Sequence, residues 1–286
     1  GVQTCALPIL MHSSNYDAKK ADQLLASGVE LDTNPVRNLE LMLLRANVLT
    51  WELHDTETAA PLIESVYEAT REAAADEKTR AMVRRAAERQ AHKPVKRVNR
   101  DRPNAAPEDK MRTLARRSLI AMGDVALLSS DSPGAQELYA QARKLDARPI
   151  PRAEELAKIG TFPFTVEDLL SRGEHDFALQ EIDDWEDSFP SEKATGWTQF
   201  WRGKVIFVQQ PGLRAERYLT LAESINPKGI FVPEALWLRA NSLIARGQHA
   251  EALKLLQRIR SEFTTSDYFK KAPEKIKECQ DKIAKP

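Results

Sequence analysis

The sequence predicts an all-α protein, an α-α superhelical solenoid of helical hairpins with a less regular N-terminal part. The first observation behind this is an interval. Gly123 is followed after twelve residues by Ala135, then by Tyr139 and Ala142, and Gly203 leads in the same way to Ala215, Leu219 and Ala222. Ala240 leads to Ala252, Leu256 and Ile259, and Val166 to Ala178, Ile182 and Trp185. Self-similarity at fixed spacing marks a repeat array. A small residue lets two helices approach closely, and the i, i+4, i+7 series buries one face of the second helix. The second observation is the near absence of alternating strand-like segments. The third is composition: 286 residues, 42% hydrophobic, 29% charged and only 7% aromatic.

The elements follow in order. Gly1-Val-Gln-Thr-Cys-Ala-Leu-Pro-Ile9 matches a translated sequencing adapter, so residues 1–9 are set aside as an artefact. That leaves Cys279 as the one expected native thiol and no internal disulfide. Residues 10–79 read as degenerate hairpins with a truncated start. Asn15 to Leu31 is a second helix without its partner, ended by Asp32-Thr33-Asn34-Pro35. Pro35 to Leu53 and Thr56 to Ala75 pair next. Leu44-Arg-Ala-Asn-Val-Leu49 in the first of them nearly repeats Leu238-Arg-Ala-Asn-Ser-Leu243, which points to internal duplication.

Residues 80–106 are a basic helix passing into a linker. Arg80, Arg84, Arg85, Arg89, Lys93, Lys96, Arg97, Arg100 and Arg102 face only Glu88 and Asp101, and prolines punctuate the end. Residues 107–286 form the regular array. A hairpin from Pro107 to Asp146 is followed by a joint at Pro149 and Pro151 and a short helix to Ile159. Hairpins then span Thr161–Pro190, Glu192–Pro227 and Pro233–Thr264, and residues 267–285 form a polar closing helix of the kind an open-ended array requires.

Charge excludes some functions. With 42 basic and 42 acidic residues there is no net field toward DNA or a membrane surface, and no apolar run is long enough to span a bilayer. No Gly-rich phosphate loop, His-Glu-x-x-His, Gly-x-Ser-x-Gly or paired-cysteine motif is present, so catalysis and cofactors are not expected. His175 and His249 occupy matching places, in Arg172-Gly-Glu-His175 and Arg246-Gly-Gln-His249, and are expected to pack rather than bind metal. The acidic run from Glu167 to Asp187 contains many carboxylate pairs, but a helical hairpin displays them to water instead of across a cleft.

On a grid of about 34 residues, with uneven spacing between repeats, these segments resemble the tetratricopeptide-repeat (TPR-like) family. Leu119, Met122, Gly123, Ala135, Tyr139 and Ala142 carry the pattern once, and Gly203, Ile206, Ala215, Leu219, Ala222 and Pro227 again. Leu236, Ala240, Leu243, Gly247, Ala252 and Leu256 carry it a third time; Leu169, Gly173, Ala178, Ile182 and Pro190 give a degenerate fourth. Arg202 and Arg239 depart from it, standing where leucine is usual. Ser261-Glu-Phe-Thr-Thr-Ser-Asp-Tyr268 is similar to repeats of bacterial cell-envelope proteins, among them outer-membrane assembly lipoproteins and Tol–Pal-associated proteins. The resemblance thus implies a bacterial protein and favours the envelope over the cytoplasm.

The resemblance also implies a concave groove lined by the first helices, and residue-by-residue carry-over places Arg117, Ile120, Asp124, Phe200, Lys204, Phe207, Trp237, Asn241 and Ile244 along it. Aromatic, amide and cationic groups together suit capture of a peptide or helix. Phe200, Phe207 and Trp237 could equally fill the space between repeats, and the arginine row of Arg45, Arg202 and Arg239 could cover apolar surface. The expected function is a non-catalytic protein-interaction scaffold. Two alternatives stand beside it: nucleic-acid or anionic-polymer binding through residues 80–102, and a regulatory array of a longer enzyme.

Overall fold

In the computed structural model, which describes residues 17–75, 107–145 and 152–284, every regular element is helical and no strand occurs among the described residues. The basic run 80–102 and the joint at Pro149 and Pro151 lie outside them, as do residues 1–9. The chain divides within one helix into two units, residues 17–157 and 158–284, and each is described by itself.

In the first unit, α1 (Ala18–Leu31) opens on Asp17, whose carboxylate accepts from the N–H groups of Lys19 and Lys20. Asn34 caps α2 (Pro35–Asn47) in the same way, with proline at the first helical position where its missing N–H costs nothing. A π-helical turn, Val48–Leu53, then leads through His54 to α3 (Thr56–Ala75). The hairpin of α4 (Pro107–Leu128) and α5 (Ser132–Lys144) follows. Two apolar clusters hold these helices. Ala21, Leu25, Leu41 and Val48 join α1 to α2. Leu43, Ala46, Leu49, Ala59, Ile63, Val66, Leu114 and Ala121 join α2, α3 and α4.

The π turn differs from the expected continuous helix over Pro35–Leu53 and explains why the N-terminal part is irregular. From Ala46 the buried positions of the second helix fall at Ala59, Ile63 and Val66, all fully buried, one residue later than in the other hairpins. A π turn accommodates one extra residue without breaking the helix. It also turns Val48, Leu49, Thr50 and Glu52 inward, four buried residues of six.

The second unit begins within α6 (Arg152–Ser171) and continues through α7 (His175–Ser188), a 3₁₀ segment (Pro190–Thr195), α8 (Trp197–Gln209), α9 (Leu213–Ile225), α10 (Val232–Ala245), α11 (His249–Glu262) and α12 (Asp267–Ala284). The expected break between Ile159 and Thr161 is absent, since α6 runs unbroken through Pro163. Proline removes one backbone donor and strains the turn before it. Here packing outweighs that cost: Phe162 is buried, stacked on Trp185 at 4.4 Å and edge-on to Trp201 at 6.4 Å.

The interval read from sequence is an interlock of helices. A Cβ on Gly123 would stand 2.5 Å from Tyr139, and one on Gly203 would stand 2.8 Å from Leu219. Ala135, Tyr139 and Ala142 are completely buried, as are Ala178 and Ile182, Ala215, Leu219 and Ala222, and Ala252, Leu256 and Ile259. In the second unit the hairpins are evenly spaced. Val166, Gly203 and Ala240 stand thirty-seven residues apart, as do Ala178, Ala215 and Ala252, so the grid of about 34 is three residues short. The interval inside each hairpin is unchanged. The extra residues therefore fall between hairpins, in the segments that carry buried Phe189 and Phe231.

Hairpin turns repeat too. Gly173 and Gly247 have φ of 73° and 75°, and in each turn two backbone bonds close the preceding helix, such as Gly247 N to Ile244 O and Gln248 N to Leu243 O, both 2.9 Å. At Ser130, with φ 64°, the same pair of bonds recurs, Ser130 N to Leu127 O and Asp131 N to Ala126 O, and His54, at φ 56°, ends the π turn.

Candidate partner-binding face

Within the second unit, the first helices of successive hairpins share a polar seam. Lys204 on α8 places its Nζ 3.4 Å from Glu167 Oε1 on α6 and 2.9 Å from Glu234 Oε1 on α10. The same ammonium lies 4.7 Å from the centre of the Trp201 ring. An ammonium between two carboxylates and an aromatic face is well satisfied, and one lysine here links three helices. Beyond Glu234 the seam continues to α12. There the Tyr268 ring packs at 5.6 Å from Trp237, within electrostatic reach of Glu234. Burial, then the negative charge of Glu234, raise the Tyr268 pKa above its ordinary 10.0.

Behind the seam run ion pairs repeated at the same interval. Arg202 donates to Glu186 at 3.0 Å and to Asp183 at 2.7 Å, and Arg239 pairs with Glu223 at 2.5 Å. Arg202 and Arg239 stand thirty-seven residues apart, as do Glu186 and Glu223. Glu223 also receives Arg258. Burial disfavours the Arg202 charge, but Glu186 and Asp183 outweigh it and raise its pKa further above the usual value. In the first unit Arg45 meets Asp22 on the preceding helix at 2.7 Å. The arginine row is thus a set of staples, each holding the second helix of the hairpin before it. Within the acidic run only Glu186 is covered by its pairing; Asp183 and Glu167 also meet cations, and Asp168 meets Arg172 at 3.0 Å, yet these three side chains remain exposed to water as expected.

The residues expected along a groove separate accordingly. Phe200 is buried, with Trp201 at 5.4 Å and Phe231 at 5.2 Å, so it fills the space between hairpins. Phe207, Trp237, Asn241 and Ile244 are half-buried on the first helices, and Asn241 donates its amide to Trp237 O at 2.8 Å. Arg117, Ile120 and Asp124 belong to the first unit. Arg117 is exposed and Ile120 half-buried, while Asp124 is 2% exposed and accepts from Trp51 Nε1 at 3.0 Å and Tyr139 OH at 2.8 Å. Asp124 is therefore a core tie that anchors the π turn, with no face to offer a partner.

Sequence reasoning missed Glu167, Glu234 and Tyr268 as members of the seam. The signal was available for Glu167, which shares the thirty-seven-residue interval with Lys204 and Asn241. His175 and His249 are half-buried at the starts of α7 and α11. No group of three or more potential metal ligands occurs among the described residues, and no described helix is long and apolar enough to cross a membrane. Cys279 is buried, and burial raises its thiol pKa. No family model matches the chain, and no curated protein matches its sequence.

Proposed function

We propose that this chain is a non-catalytic protein-interaction scaffold of the TPR-like solenoid type, which receives a partner segment along the seam side of its first helices. The observation that carries the reading is the regular register of polar residues on that face. Glu167, Lys204 and Asn241 occupy equivalent positions on three successive first helices, and contacts from Lys204 to both neighbouring helices place α6, α8 and α10 side by side there. A repeated, internally braced surface is preorganised, so a partner meets little ordering cost in the scaffold. Half-buried Phe207, Trp237 and Ile244 on the same helices supply apolar area for it.

The test is affinity capture on the immobilised chain, with partners identified by mass spectrometry and their binding remeasured in purified form. Trp237→Ala and Lys204→Glu should each weaken a genuine partner at least tenfold while helicity by circular dichroism is preserved. Partners that bind both variants as well as they bind the parent chain would refute the assignment to this face.

A further inference from the structure

We draw no further inference here: the strongest candidate, the exposed face of α6 at Thr161, Phe164 and Asp168, whose counterparts Thr198, Trp201 and Val205 on α8 are buried, carries none because nothing in the structure shows what covers it.

Discussion

At the scale of single residues, the closest fits are at the small positions. Gly203 has Leu219 Cγ 2.8 Å from where a Cβ would be and Leu219 N at 3.1 Å, so relief requires backbone movement. Gly203→Ala should lower stability by about 1–2 kcal/mol in urea unfolding, overpacking exceeding the gain in helix propensity. Ser130 gives the opposite case. It holds the left-handed turn conformation that Gly173 and Gly247 hold elsewhere, and a side chain there costs about 1 kcal/mol. Ser130→Gly should therefore raise stability by about 0.5–1 kcal/mol, read as a higher urea midpoint at unchanged slope. These small positions were legible in the sequence because a missing side chain shows there directly. Asp124 was not: whether a carboxylate on a helix faces water or a tryptophan and a tyrosine depends on Trp51 and Tyr139, remote in sequence.

At the scale of elements, the helices were legible from periodicity and capping, and two departures arose where neighbours overrule local signals. The sequence reads a break between Ile159 and Thr161, yet α6 runs through it and through Pro163, with Phe162 packed on Trp185 and Trp201. The π turn is invisible in a search at fixed spacing, because it displaces Ala59, Ile63 and Val66 by one place. The staples between elements are more costly to break than surface ion pairs. Arg202 and Glu186 are only 13% and 14% exposed, so Arg202→Ala should lose about 2–3 kcal/mol by leaving a covered carboxylate short of its partner. The closing helix carries a pH signature. The folded state raises the Tyr268 pKa above 10.0, so its contribution is fully present below pH 10 and declines as pH rises beyond that, where the unfolded phenol ionises first. Between pH 9 and pH 11 the parent chain should lose more stability than Tyr268→Phe, which lacks the ionising group; equal losses would contradict a phenol held neutral by burial and by Glu234.

At the scale of the whole molecule, the repeat interval makes a prediction that single substitutions do not. Repeat stability is approximately a sum of units and their interfaces, so removing a whole unit shortens an array without disrupting it. Excising residues 204–240 joins Gly203 to Asn241 at equivalent positions. The product should remain helical and unfold cooperatively, with a smaller urea slope than the parent because less surface is exposed. Excising thirty-four residues from the same starting point leaves three extra residues within the fused helix and turns its N-terminal half off the face that packs on its neighbours, so that product should be markedly less stable than the thirty-seven-residue excision. The thirty-seven-residue interval is written in the sequence, but the uneven joint before α6 and the inserted residue at the π turn obscure it until buried positions are aligned.

The staples also have a direction. In the second unit Asp183 and Glu186 wait on Arg202, and Glu223 waits on Arg239 and Arg258, so the carboxylate always precedes its cation in the chain. On a ribosome these hairpins emerge with their acidic faces uncovered, and each is completed only by the one synthesised after it. Glu186 and Arg202 are separated by sixteen residues, a delay of about 1–3 s at usual rates of synthesis. During that delay Asp183 and Glu186 stand without Arg202, and the acidic helix that carries them repels like charge around it.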